Sequence, residues 1–190
     1  MSGYIQKYRI ESARLKNWDY STAWWYYVTI NTKNHIQWFG KVNNKKMILS
    51  EIGKIVEQEW LNTPVVRNNV ELDEFIVMPN HLHGIIILHK SKLSNSRDVL
   101  QNVSTKNEYF AELSPKSSTL SVIIRSFKGA VTRWCKKNGY SDFEWQARFY
   151  DRIIRNEIEL NDIRYYIKQN PLNWEIENDL DEDLNKLLGG

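Results

Sequence analysis

Apolar residues fall along this chain in two rhythms, one of period two and one near 3.6, and the switches between them mark out the elements. Residues 24–30 are dense in aromatic and β-branched side chains and predict a first core strand. Residues 39–42 and 45–49 flank Asn43-Asn44 and predict a small hairpin. Ser50 can cap a helix over 51–61, in which Ile52, Ile55, Val56, Glu59 and Trp60 recur at helical spacing, and Asn62-Thr63-Pro64 ends it. Residues 70–78 predict a second strand. Residues 81–88 predict a third, apolar on both sides, with Ile85 and Ile87 on one face and Leu82, Ile86 and Leu88 on the other. Such a strand belongs in the middle of a sheet covered above and below. Only Pro79-Asn80 joins these two strands, too little for a parallel crossover, so they should pair antiparallel.

The clearest helix spans 119–137. Leu120, Ile123, Ile124, Phe127, Val131 and Trp134 form its buried stripe, and Gly139 follows its end. Its other side carries Arg125, Lys128, Thr132, Arg133, Lys136 and Lys137, which is either a solvated face or one that runs along DNA phosphates. Between strand and helix, residues 91–118 are polar and without a period, and read as a long mobile insertion. Residues 144–154 return to short extended structure. Asn156, with Glu159 three residues on, then forms a capping-box pattern for a last helix, which Pro171 should stop at about Asn170. The acidic stretch 175–190 reads as a loose tail after a domain of residues 1–174.

Composition narrows the class. Within 190 residues, 42% hydrophobic and 13% aromatic content suits one packed domain, and no apolar run reaches the roughly 18 residues of a membrane span. The N-terminus lacks the apolar core of a signal peptide, and one cysteine, Cys135, excludes an internal disulfide; both fit a cytoplasmic protein. Residues 175–190 hold six of the 23 acids and one of the 26 bases, which leaves the body at a net +8. A basic, aromatic-rich body is compatible with nucleic acid. The segment 4–20, where Arg14 and Lys16 stand among Tyr4, Tyr8, Trp18 and Tyr20, could be an arm that grips phosphates and stacks on bases, or an ordinary packed segment.

Chemistry enters at the head of the third strand. His81 and His83 are two residues apart, so in an extended chain both point to one side while Leu82 points to the other. That makes either a two-pronged metal grip or a pair of polar strand-end residues satisfied by backbone or water. His89 shares their face but lies roughly 20 Å further along, too far for the same ion. In the last helix Tyr166 is followed one turn later by Asn170 on the same side. An amide oxygen is a suitable ligand for Mg²⁺ or Mn²⁺, and a tyrosine one turn away would stand beside an ion-bound phosphate, an arrangement suited to phosphoryl transfer.

Three stretches then resemble the single-tyrosine HUH transposases of small insertion sequences, and most closely the REP-associated tyrosine transposases. They are Met78-Pro79-Asn80-His81-Leu82-His83-Gly84, Trp145-Gln146-Ala147-Arg148-Phe149-Tyr150-Asp151-Arg152-Ile153-Ile154-Arg155-Asn156-Glu157 and Tyr165-Tyr166-Ile167-Lys168-Gln169-Asn170-Pro171. Arg14-Leu15-Lys16 and Asp19-Tyr20-Ser21 also look like the opening of this group. The resemblance implies an α+β, ferredoxin-like domain whose antiparallel sheet carries the histidines, with the tyrosine on a C-terminal helix. It implies His81, His83 and Asn170 as ligands of Mg²⁺ or Mn²⁺, Gln169 as a lesser substitute for Asn170, and Tyr166 as the nucleophile. Tyr165, about 100° round the helix, would be packing. It implies strand cleavage through a 5′-phosphotyrosine on single-stranded DNA or a DNA hairpin. The hairpin would be held by Arg14 and Lys16 and by the helix face of Arg125, Lys128, Arg133 and Lys136. A monomer, nucleoid-associated in the cytoplasm, is expected over a helix-exchanged dimer. The competing readings are a catalytically silent hairpin-binding protein, a zinc hydrolase, which would recruit further His or Asp ligands, and an HUH replication initiator or relaxase.

Overall fold

The computed structural model describes residues 18–90 and 119–188, with side chains as far as Glu177. The expected insertion over 91–118 and the basic positions Arg14 and Lys16 lie outside the described residues.

The core is a four-stranded sheet of β1 (Trp25–Asn31), β4 (Val70–Val77), β5 (His81–Leu88) and β6 (Tyr150–Ile153), in the order β4-β5-β1-β6. Every neighbouring pair is antiparallel. Helix α1 (Glu51–Leu61) precedes β4 and helix α3 (Leu120–Lys137) precedes β6, while the hairpin β2 (Gly40–Asn43) and β3 (Lys46–Leu49) is inserted ahead of α1. A single short turn of helix, α2 (Thr63–Val66), follows α1. This is the expected α+β, ferredoxin-like arrangement, with β5 paired on both sides. No described helix is long and apolar enough to cross a membrane.

Local signals explain the element ends. Ser50 caps α1 by accepting from the Gly53 amide, and Asn44 and Lys45, at φ 51° and 60°, form the two-residue turn whose left-handed conformation matches the twist of a hairpin. Gly139, at φ 88°, terminates α3, with the Tyr140 amide returning to the Cys135 carbonyl.

The two sheet faces have different companions. Tyr26, Val28, Ile30, Leu82, Ile86 and Leu88 point toward α1 and α3, and join Ile52, Val56, Trp60, Ile123, Phe127 and Val131 in the main core. Gly84 falls on this face directly under Trp60, and a Cβ there would stand 2.4 Å from the indole Cζ2. Glycine therefore lets the largest fully buried side chain pack directly against the central strand. Gly84→Ala should cost about 1–3 kcal/mol through overpacking. A thermal melt would check this, the expected result being a lower Tm with an unchanged far-ultraviolet spectrum.

Helix α4 (Glu157–Leu188) covers the other face with Leu160, Ile163 and Ile167 against Tyr27 and Ile85. Its start follows the capping-box expectation: Asn156 Oδ1 accepts from the Glu159 amide, and the Glu159 carboxylate accepts from the Arg155 amide. A bulge in β4 places Asp73 and Glu74 under the helix, where Asp73 takes two hydrogen bonds from Arg164 at 2.8 and 2.5 Å and Glu74 pairs with Lys168 at 2.7 Å. The Arg164 guanidinium holds the Asp73 carboxyl below its ordinary range.

The end of α4 corrects the reading of the sequence. Pro171 sits inside the helix, and residues 175–188 continue it instead of forming a loose tail. Proline removes one amide from the ladder and crowds the preceding turn, a cost of about 3 kcal/mol in an isolated helix. Tertiary contacts offset it here: Pro171 is buried, Trp174 lies 5.8 Å from the His81 ring, and Glu175 accepts from the Lys45 amide in the turn of the hairpin.

Candidate active site

β1 and β5 pair so that Thr29 faces His83 and Asn31 faces His81, with the side chains of all four on the side covered by α4. The two histidine rings are 4.4 Å apart between centroids. Across from them, α4 presents Tyr166, Asn170, Asn173, Trp174 and Glu177, residues three to four apart on one helix face. The Tyr166 ring stands edge-on to His83 at 5.3 Å. His35 and Asn80 close the end of this cleft of about 330 Å³.

Each histidine is held through Nδ1. His81 Nδ1 is 2.7 Å from Asn80 Oδ1. His83 Nδ1 meets the Tyr27 hydroxyl at 2.7 Å and the Thr29 hydroxyl at 2.9 Å, and Tyr27 stacks on the ring at 5.6 Å. Partners of this kind orient metal-binding imidazoles from behind and direct the other nitrogen forward. Asn170 is 6% exposed. Its amide nitrogen makes a long 3.5 Å bond to the Tyr166 carbonyl, while its interaction with His81 favours the protonated imidazole, as a carbonyl oxygen facing the ring would.

Burial sets the protonation of the pair. It lowers His81 from the ordinary 6.5 to about 4, assisted by the nearby His35 and opposed by Asn170. It lowers His83 to about 3, assisted by His81. Both imidazoles are therefore neutral at physiological pH, the state that ligates a cation. Burial also raises the Tyr27 phenol, keeping it a hydroxyl beside His83. In metal-free protein the unfolded chain takes up protons below pH 6.5 that the folded chain refuses until about pH 4 or lower. Above pH 6.5 both states are neutral and this contribution is flat; stability is then lost as pH falls through that window. The urea midpoint in chelator should drop between pH 6.5 and 4, and His83→Gln should flatten part of that drop.

Two neutral imidazoles and an amide oxygen fit a divalent cation such as Mg²⁺ or Mn²⁺ whose remaining positions go to water or phosphate. Among the described residues no group of three or more His, Cys, Asp and Glu side chains gathers at one point, so the additional ligands a zinc hydrolase would recruit are not found there. His89 pairs with Glu71 at the far end of β5, as its distance along the strand implied.

Other expectations shift. Tyr165 is 67% exposed and lines a separate groove with Asp73, Arg164 and Lys168, so it is not a packing residue. Arg125, Arg133 and Lys136 are exposed on α3, the helix on the opposite side of the sheet from Tyr166. Lys128 is not a solvated cation: its ammonium donates to the Gln146 and Arg148 carbonyls at 2.8 and 2.6 Å above the Trp145 ring, and burial lowers it to about 8. It fastens the segment leading into β6. The residues behind the histidines, Tyr27, Thr29 and Asn80, were not singled out from sequence. Alternation along β1 places Tyr27 and Thr29 on one face, but only the β1–β5 register brings them to His83.

No protein-family model matches this chain. It is 39% identical over 166 residues to an uncharacterized protein of Haemophilus influenzae, a match that covers 86% of this chain and 89% of that one. Among solved structures, it is similar to a REP-associated tyrosine transposase bound to a REP hairpin, with a TM-score of 0.54 at 19% identity over 84% of this chain and 73% of the other. At that identity the likeness establishes a common fold.

Proposed function

The chain belongs to one family with the uncharacterized Haemophilus influenzae protein, and we propose that it is a metal-dependent transposase that cleaves and rejoins single-stranded DNA beside hairpin elements. The observation that carries this reading is the position of Tyr166. It faces His83 across the cleft, one helical turn before Asn170, so the proposed nucleophile and the three proposed cation ligands line one cleft. The shared fold with a transposase bound to a REP hairpin supports DNA of that kind as the substrate.

His81, His83 and Asn170 would hold Mg²⁺ or Mn²⁺, which when bound supplies positive charge to a phosphodiester and stabilises the charge that develops on it. The chain's own residues do the rest. Tyr166 is 45% exposed and lines the cleft, so a strand entering the cleft meets it, and the proton displaced from its hydroxyl on attack passes to water. Attack forms a bond from Tyr166 Oη to phosphorus and breaks the bond from phosphorus to the 3′-oxygen, leaving a 5′-phosphotyrosine and, once protonated from water, a free 3′-hydroxyl. One ester replaces another, so a second 3′-hydroxyl can reverse the step without ATP. Neutral His81 and His83 contribute no charge of their own that a change between pH 6.5 and 8 would alter. The helix clamp of Arg164 on Asp73 and Lys168 on Glu74 fixes the turn that carries Tyr166 against the sheet. Arg125, Arg133 and Lys136 would bind the hairpin stem only if it passes round the sheet, since they stand on its other side.

The test is to incubate the protein with single-stranded hairpin oligonucleotides from the flanks of its gene, with Mn²⁺ or with chelator. An SDS-resistant protein–DNA adduct that requires the metal is the expected result. Hairpin binding without any adduct would replace this reading with that of a silent binding protein.

A further inference from the structure

Asn80 stands at the junction of three features that the reaction does not by itself explain. It is 9% exposed, it lies next to His81, and its amide spans two groups at once: Nδ2 donates to the His35 carbonyl at 3.1 Å, and Oδ1 is 2.7 Å from His81 Nδ1. Beside these three stands backbone strain. Asn34 and His35 occupy the left-handed region at φ 56° and 54°, two non-glycine residues in succession. Such conformations persist only where the surroundings over-determine them.

The surroundings do so here. Thr32, fully buried, shares its one hydroxyl proton between the Ile36 and Asn80 carbonyls at 2.8 and 3.0 Å, and its amide donates to the Asn80 carbonyl at 2.9 Å. The Lys33 amide reaches the Glu144 carbonyl at 2.9 Å, and the two side chains also pair. Both sides of the loop are pinned, and the left-handed pair between them turns the His35 carbonyl toward Asn80.

A carbonyl oxygen can only accept. The atom of Asn80 that faces it must therefore be the amide nitrogen, and the atom left for His81 must be the oxygen. That oxygen also only accepts, so the 2.7 Å contact is a hydrogen bond when His81 carries its proton on Nδ1, which in the neutral ring leaves Nε2 bare. The Asn170 oxygen, the other acceptor that faces the ring, is what Asn80 must outcompete. We infer that Asn80, held by the strained 34–35 turn, is a positioning residue that locks His81 in the Nδ1–H tautomer and so presents Nε2 to a cation. This rests on the reading of His81 as a metal ligand. It adds the device that makes it one, and assigns the strained turn a purpose: it fixes which end of the amide faces the ring.

The lock is tested without DNA. Long-range proton–nitrogen spectra of metal-free, ¹⁵N-histidine-labelled protein at pH 7.5 report the tautomer directly, and wild type should show His81 as Nδ1–H. Asn80→Leu should lose that preference and weaken Mn²⁺ binding, followed by electron paramagnetic resonance, by roughly 10–100-fold. Asn80→Asp keeps an acceptor for His81 but gives up the bond to His35, so it should retain the tautomer and bind Mn²⁺ within a few-fold of wild type. His35→Gly keeps the carbonyl and relieves the left-handed strain, and should retain the Nδ1–H tautomer of His81 even though loss of the imidazole shifts its resonances. An Nε2–H tautomer in wild type overturns the inference whatever the variants do, as does Asn80→Leu with unaltered tautomer and Mn²⁺ affinity. If the spectra show the lock but no DNA adduct ever forms, the transposase reading fails while the positioning role stands.

Discussion

On the proposed function, Tyr166→Phe should abolish covalent attachment to hairpin DNA, lowering the rate by at least about 10⁴-fold, because it removes the proposed nucleophile, the group that the rest of the site would serve. Hairpin affinity and thermal stability should hardly change. Tyr166 is 45% exposed, so loss of one hydroxyl leaves no buried hole, and the phenyl ring keeps its edge contact with His83. Tyr165→Phe is the matched control and should react as wild type does, since Tyr165 points into the groove of Asp73, Arg164 and Lys168. Denaturing gels of radiolabelled hairpin with each protein in Mn²⁺ would decide between them. An adduct that survives in Tyr166→Phe would move the nucleophile elsewhere. Tyr27 is a poor substitute, because burial raises its phenol and its hydroxyl is committed to His83 Nδ1.

The parts of this site that were legible in the sequence are those set by local periodicity. Alternation along β5 put His81 and His83 on one side, and a four-residue interval put Tyr166 and Asn170 on one side of a helix; both relations hold whatever the rest of the chain does. The antiparallel sheet followed from the short Pro79-Asn80 link and from a strand apolar on both faces. What was not legible depends on pieces distant in sequence. Tyr27 and Thr29 reach His83 across 56 and 54 residues through a strand register that no local pattern encodes.

Lys128 shows the same limit from the other side. A helical wheel makes it one of a row of cations, yet the carbonyls of Gln146 and Arg148 from a separate segment take its ammonium out of that row. Pro171 was misread as a terminator because its local cost is real, whereas the compensation comes from contacts of Trp174 with His81 and of Glu175 with the hairpin turn. That error hid part of the site, since Asn173, Trp174 and Glu177 line the cleft from the stretch beyond the proline.

His83→Ala should have the second largest effect, a loss of Mn²⁺ affinity greater than the roughly 10–100-fold expected for a residue behind a ligand, together with loss of the adduct. His83 is the more deeply placed of the pair at 6% exposure, so water cannot readily take its position without rearrangement. The substitution also strips the Tyr27 and Thr29 hydroxyls of their shared partner and leaves them with the 3.2 Å bond to each other. An unsatisfied buried hydroxyl costs about 1–3 kcal/mol, so the variant should also melt earlier. His83→Ala,Tyr27→Phe removes one of the stranded groups, and should recover part of the stability but none of the metal binding. That separation is what distinguishes a ligand from a core histidine. Calorimetric titration with Mn²⁺ and a thermal melt on both variants would measure it. If His83→Ala binds Mn²⁺ like wild type while losing stability, His83 is structural and is not a cation ligand.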